Sequence, residues 1–329
     1  MKKNIPIFFA FNNDYSIPAA VAFFSLINKA KLETFYQMYV LHPDISFENQ
    51  KMLKEIAERK NNAELTFINT NGFLDKEWSE GTFTSTYASS VFTQDTLIRC
   101  FASKFFPHLD KIIYSDVDVV FMDDISELID INLNDKYIGA VKGAFSKFSK
   151  DELSHFKQEH YEMLKDTYFA GGIWVMNLKK IREDNLEEKM LKIIKDNTIV
   201  KRFPDQDIMN IACENKVEFL PLNYIFYPYM QDLLKNPDFE SHYTKEEMYD
   251  SIFNPKILHF AASKPWNNSP RYSDIWWAIF QYLNLKETNI FSRKTKVNKK
   301  LKKYKKLFNI FLIISILLLS VILILLIFK

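Results

Sequence analysis

Hydrophobic positions in the first part of the chain come in short blocks that switch between two periods. Ile5–Phe11, Phe35–Leu41 and Leu65–Ile68 are dense apolar runs of strand length. Between them, Pro18–Asn28 and Phe47–Arg59 have helical spacing, with Met52, Leu53, Ile56 and Ala57 on one face. Ser16 stands where a cap is expected. Thr96–Phe106 reads as another helix, and Lys111–Phe121 as a buried strand. Strands alternating with helices predict an α/β fold: a mostly parallel central sheet flanked by helices on both faces. Ligands in such sheets collect at the carboxyl ends of the strands.

Beyond Asp124 the pattern loosens. Ile138–Val141, Val217–Leu220 and Lys256–Ala261 predict short strands, and Ser146–Asp166 a polar helical excursion. Tyr168–Leu178 is apolar but holds Gly171 and Gly172; paired glycines inside a strand mark a bulge or a close backbone approach. Ile181–Lys195, Asp205–Cys213 and Ser273–Leu283 predict helices.

The C-terminus differs in kind. Phe308–Phe328 is almost unbroken apolar sequence, interrupted only by Asn309, Ser315 and Ser320. A helix of about 20 such residues spans a bilayer core. Six lysines precede it between Lys299 and Lys306, and only Lys329 follows. The positive-inside rule then predicts a single-pass inner-membrane protein with its large domain in the cytoplasm. Residues 1–285 are expected to form one catalytic domain, 286–306 a basic linker, and 307–329 a C-terminal transmembrane anchor. The linker would also attract anionic headgroups.

Charge divides along the same line. Residues 286–329 carry eleven Lys/Arg against one Glu, net +10, so with +2 overall the first 285 residues carry −8. An acidic domain argues against nucleic acid as a partner. With 6 glycines and no Gly-rich phosphate loop, any phosphate must be held by a metal and cations. Cys100 and Cys213 are far apart and fit buried thiols in a reducing compartment.

The sharpest chemical signal is Asp116-Val117-Asp118. Read as the end of a strand, its two carboxylates point the same way. Like charges so close repel and resist desolvation, and a hard divalent cation, Mg²⁺ or Mn²⁺, relieves both costs. A strand running into a polar loop also collects aspartates, so this spacing alone fits either reading.

Six segments, in order, resemble glycosyltransferase family 8, the retaining sugar-nucleotide transferases that include bacterial lipopolysaccharide galactosyl- and glucosyltransferases. Phe9-Ala10-Phe11-Asn12-Asn13-Asp14-Tyr15 is similar to the family's nucleotide-binding first loop. Arg99 resembles its donor-contacting arginine, and Asp116-Val117-Asp118 its D-x-D motif. Tyr168-Phe169-Ala170-Gly171-Gly172-Ile173 resembles an F-N-A/S-G segment, and Pro204-Asp205-Gln206-Asp207 the D-Q-D motif. His259-Phe260 followed by Lys264-Pro265-Trp266 resembles the closing H-F/Y and K-P-W pair. The resemblance covers roughly residues 5–285 and implies a GT-A type nucleotide-binding fold.

It also implies a site. Asp116, Asp118 and His259 would ligate Mn²⁺ or Mg²⁺, the imidazole favouring Mn²⁺. A UDP-hexose donor would contact Ala10, Asn12, Asp14, Tyr15, Arg99, Asp116, Val117, Asp118, Ala170, Gly171, Asp205, Gln206 and Lys264. Lys264 would meet phosphate, and Tyr15 would either stack on the base or pack in the core. Asp205 and Gln206 would be catalytic, Asp205 on sugar hydroxyls and Gln206 beneath the anomeric carbon; Asp205 also fits a helix cap. The resemblance leaves open whether configuration is retained through a covalent intermediate or same-face attack. The acceptor would be a saccharide hydroxyl on a lipid-linked glycan or lipopolysaccharide core. There are departures: Asn12 stands where Asp is common, Asp14 where Asn is usual, and Ala170 replaces the usual Asn. The segment between His259 and Lys264 is one residue shorter than in many relatives. Two alternatives follow: a catalytically silent UDP-sugar-binding scaffold, favoured by Ala170, and a metal-dependent nucleotidyltransferase, which also uses paired aspartates.

Overall fold

A computed structural model describes residues 2–75, 94–143, 156–196, 203–235, 242–261 and 263–286. The first half builds β1 (Lys3–Ala10), α1 (Ser16–Lys29), β2 (Thr34–His42), α2 (Phe47–Ala57) and β3 (Ala63–Asn69). After α3 (Gln94–Ile98), a 3₁₀ turn and α4 (Ala102–Phe105) come β4 (Lys111–Ser115), β5 (Val119–Phe121) and β6 (Ile138–Lys142). Then follow α5 (Gln158–Leu164), β7 (Phe169–Asn177), α6 (Leu178–Glu183), α7 (Leu186–Lys195), α8 (Pro204–Cys213) and β8 (Val217–Leu220). The described chain closes with α9 (Met230–Leu233), α10 (Lys245–Phe253), β9 (Ile257–His259) and α11 (Ser273–Tyr282).

Seven strands form one sheet in the order β3-β2-β1-β4-β7-β6-β8. β7 runs antiparallel to both neighbours, and the other pairings are parallel. Side chains of the central strands alternate between two cores. Ile5, Ile7, Phe9, Ile113, Ile173 and Val175 pack on the α1 side. Phe8, Ile112, Tyr114, Trp174 and Met176 pack with α7 and α8 on the other. Burial on both faces explains why these strands read as continuous apolar runs. From β1 the chain steps outward through β2 and β3, then returns to β4 on β1's other side. The carboxyl ends of β1 and β4 therefore flank a topological switch point, the place where ligands of such sheets bind.

Four local expectations are corrected. Lys111–Phe121 is two strands: the chain leaves the large sheet after Ser115, and β5 pairs with β9 in a separate antiparallel sheet. Ser16 is the first residue of α1, its hydroxyl donating to Asn13 O at 2.7 Å. Asp205 lies inside α8, while Asp207 Oδ2 accepts the N–H of the capping residue Phe203 at 2.9 Å. Ile181–Lys195 likewise divides at Asn185, which takes φ 51°. Cys100 and Cys213 are free and buried, as expected.

Of the helical excursion expected over 146–166, α5 is seen and 144–155 lie outside the described residues. No helix among the described residues is long and apolar enough to cross a membrane. The expected anchor, 307–329, and all but Lys286 of the basic linker lie outside them.

Candidate active site

The break after Ser115 builds the site. Asp116 hangs from the last hydrogen bond of the large sheet, its N–H donating to Gly172 O at 3.0 Å. Val117 turns its side chain into the core. Asp118 then enters the small sheet, where Phe260 N–H donates to Asp118 O at 2.9 Å and Val119 pairs with His259. The carboxylates converge because the chain bridges two sheets at this point, not through the alternation of one strand. The same pairing carries His259 to them across a long sequence interval.

His259 Nε2 stands 3.3 Å from Asp116 Oδ2 and 3.1 Å from Asp118 Oδ1. Neither approach has the angle of a hydrogen bond, and Nε2 is buried. Donor atoms sharing one hard dication at 2.0–2.2 Å stand about 3 Å apart in an octahedral arrangement, so these separations fit a common ion. Among the described residues these three form the one group of its kind. Mn²⁺ or Mg²⁺ suits two carboxylates and an imidazole.

Charges around the group agree with that fit. Burial would lower the pKa of His259, but Asp118 and Asp116 outweigh it and raise it to about 9. Burial pushes Asp118 up, yet Lys264 and His259 hold it well below the carboxylate range; Lys264 Nζ donates to Asp118 Oδ2 and, at 2.9 Å, to Ala261 O. For Asp116, burial is overcome first by Arg99 and then by His259. Three acidic groups, Asp116, Asp118 and Asp205, thus face two permanent cations, Arg99 and Lys264. His259, protonated at its raised pKa, supplies the third positive charge; a dication bound there would take its place by releasing that proton.

Arg99 organises the other side. Its Nη1 donates to Tyr114 Oη and Asp116 Oδ1, both at 2.6 Å, and approaches Gly171 O at 3.3 Å. Nη2 pairs with buried Asp205. The guanidinium lies over the rings of Tyr114 and Trp174, 5.1 and 5.4 Å from their centres, so aromatic faces shield and stabilise it. Tyr114 Oη donates to Asp116 Oδ1 at 2.5 Å.

α8 delivers Asp205 and Gln206 to β7. Gln206 Oε1 accepts from Gly171 N at 2.7 Å, and Nε2 donates to Tyr168 Oη at 2.8 Å. Tyr168 Oη donates to Asp207 Oδ1 at 2.6 Å. Asn210 clamps Phe169 by both backbone groups, at 2.8 and 2.9 Å. Both glycines serve close approach. A Cβ on Gly171 would stand 3.1 Å from Gln206 Oε1, and one on Gly172 only 2.4 Å from the His259 ring.

Of the residues expected at the site, Arg99, Asp116, Asp118, Gly171, Asp205, Gln206, His259 and Lys264 are joined by direct contacts. Tyr15 lies beside them: burial raises its pKa and the charges of Lys264 and Asp118 act on it, while its ring meets Trp266 edge-on at 6.3 Å. Ala10 ends β1, and Asn12 follows with its Oδ1 buried and without a partner among the described residues. Asp14 is exposed. Asn13 anchors this loop, its Oδ1 accepting from Ser46 N and Asn49 Nδ2. The methyl of Ala170 sits in the core, and Ala170 O accepts from Trp174 Nε1 at 2.8 Å. Tyr114, Asn210 and Tyr227 were not anticipated. Tyr114 stands two residues before Asp116 in a strand-like run, a signal that was available.

The sequence matches the model for Glycosyl transferase family 8 over residues 6–269. The chain belongs to glycosyltransferase family 8. It is 27% identical over 231 residues to a putative glycosyltransferase of Haemophilus influenzae, covering 70% of this chain and 65% of that one. It is 30% identical over 180 residues to a lipopolysaccharide 1,2-glucosyltransferase of Escherichia coli K12, covering 52% and 46%. The chain thus spans between about half and two thirds of the length of these two relatives. Its fold is similar to that of the galactosyltransferase LgtC in complex with donor and acceptor sugar analogues, with TM-score 0.66, 20% identity, and 87% and 98% of the two chains covered. It is also similar to the bifunctional glycosyltransferase WbbM, with TM-score 0.66, 25% identity, and 85% and 50% covered. The α/β arrangement expected of family 8 is therefore present. Its matched span takes in all six segments that carried the resemblance, up to Trp266.

Proposed function

We propose that the chain is a retaining, metal-dependent glycosyltransferase that moves a hexose, galactose or glucose, from a UDP-sugar to a hydroxyl of a lipid-linked glycan or lipopolysaccharide-core acceptor. The observation that carries this reading is the convergence of Asp116, Asp118 and His259, with Lys264 and Arg99 against it, at the carboxyl ends of β1 and β4. Asp116, Asp118 and His259 would hold Mn²⁺ or Mg²⁺, which would supply Lewis acidity toward the diphosphate, worth several kcal/mol. The protein's own groups do the rest. Lys264, held beside the group by Asp118 and Ala261 O, would meet the same anion as a point charge. Arg99 holds Asp116 and Asp205 in fixed relation. Gln206 and Asp205 present oxygens where positive charge develops at the anomeric carbon. Asn12 and Tyr15, at the end of β1, stand where the uridine would lie.

Membrane attachment belongs to the same proposal and is supported by sequence alone, through the lysines and apolar run of residues 286–329. Anchoring raises the effective concentration of a lipid-borne acceptor.

A screen of UDP-hexoses for Mn²⁺-dependent UDP release tests the reading. Asp118→Asn should reduce release by at least about a thousandfold with circular dichroism unchanged. Full turnover in that variant removes the metal argument. Release of pyrophosphate in place of UDP would favour nucleotidyl transfer, and absence of UDP binding a silent scaffold.

A further inference from the structure

A ligating histidine ordinarily has its second ring nitrogen hydrogen-bonded, which fixes the ring's orientation. His259 departs from this. Its Nδ1 is buried and has no hydrogen-bond partner among the described residues. Instead the ring fills space that a side chain would need. A Cβ built on Gly172 would fall 2.4 Å from both Nδ1 and Cε1 and 3.4 Å from Nε2. The Tyr227 ring packs on the imidazole with centres 5.2 Å apart and planes tilted by 31°. Tyr227 is in turn stacked on Tyr229, at 5.4 Å and 22°.

The backbone holds this packing in register. Phe226 N–H donates to Ile257 O and His259 N–H donates to Phe226 O, both at 2.9 Å. Residue 226 thereby lies alongside β9 as a third, bridging segment. Gly172 is fixed from the other sheet, since its carbonyl accepts the Asp116 N–H. The ring is therefore confined by one element of the small sheet and one of the large sheet.

We propose that Tyr227 and Gly172 are positioning residues that aim His259 Nε2 at Asp116 and Asp118 by packing, in the role usually given to a hydrogen bond on Nδ1. This rests on the reading of those three residues as a cation site. Gly172 is glycine because the imidazole lies against its Cα. Tyr227 is aromatic because the face of a flat ring packed on the imidazole blocks its rotation. Loss of either contact frees the ring to turn away and leaves the cation to the carboxylates.

Mn²⁺ binding to the full chain, followed by the electron paramagnetic resonance of free Mn²⁺, tests the proposal without reference to turnover. Tyr227→Phe keeps the ring and should stay within about twofold of the parent. Tyr227→Leu should weaken binding by about tenfold or more. In a His259→Ala background, Tyr227→Leu should cause no further loss, because the tyrosine acts through the imidazole. If Tyr227→Leu does not fold, Gly172→Ala, one methyl added against the ring, carries the same expectation in both backgrounds. Unchanged affinity in the leucine or alanine variant, or an equal loss with and without His259, overturns the inference while leaving the cation site in place. A parent that binds no Mn²⁺ overturns both.

Discussion

Gly171 donates its backbone N–H to Gln206 Oε1 at 2.7 Å, and this bond settles which way the glutamine amide faces. With Nε2 committed to Tyr168 Oη, the oxygen is held on the β7 side, next to buried Asp205. A preorganised oxygen needs no rearrangement when positive charge develops nearby. Gln206→Ala should therefore lower kcat for UDP-hexose turnover by about a hundredfold, with UDP affinity nearly unchanged. Steady-state kinetics paired with UDP calorimetry check this, and an equal loss in both would make Gln206 a binding residue only.

Arg99 links Asp116 at the end of β4 to Asp205 inside α8, with Tyr114 and Trp174 beneath the guanidinium. Lysine cannot reproduce two directed pairs and ring stacking at once. Removing one partner of a buried pair leaves the others uncompensated. Arg99→Lys should destabilise the fold by about 3 kcal/mol and cut turnover at least about tenfold. Urea unfolding and initial rates measure the two effects. Unchanged stability would mean the pairs are not formed in solution.

Asp124 ties α1's exit to the chain after β5. It accepts from Lys31 N at 2.6 Å, Ser126 N at 2.7 Å and Thr34 Oγ1 at 3.1 Å. Burial raises its pKa, but the bonds from Ser126, Lys31 and Thr34 prevail and lower it. A carboxyl depressed in the folded state contributes stability that is complete above its unfolded pKa of about 3.9. That contribution is lost as pH falls through the depressed folded value. Asp124→Asn should cost about 1–3 kcal/mol at pH 7 and less at pH 3, below the unfolded value. Parallel urea titrations at the two pH values test this; an equal cost at both would exclude ionisation as the cause.

Much of the architecture could be read from local pattern. The apolar runs around Ile7, Met38 and Leu65 marked central strands, because burial on both faces removes polar positions from the strand. Gly171 and Gly172 marked a close approach, which the His259 ring and Gln206 supply. Asp116 and Asp118 come together by a route other than strand alternation. One continuous strand was expected through Asp116 and Asp118, since Val117, Val119 and Val120 continue the apolar run. No local signal marks a strand that changes sheets, because both sheets bury the same kinds of residue.

Other parts had no local signature. Asn210 shares α8 with Asp205, Gln206 and Asp207, and only its bonds to Phe169 show it to be a clamp. Tyr227 is one of 16 tyrosines, and nothing nearby in sequence ties it to His259. Such roles depend on pairing between distant segments.

By itself the sequence determined the alternation of strands and helices, the acidic balance of residues 1–285 ahead of a basic, apolar stretch, and the types of side chain available for a cation and a diphosphate. These follow from periodicity, charge and donor chemistry, which are local properties of the chain. Only the tertiary structure decided that Val119 pairs with His259, that the imidazole lies between Gly172 and Tyr227, and that Arg99 joins Asp116 to Asp205. Those arrangements are fixed by strand register and by shape across a packed interior, and a linear order of residues contains neither.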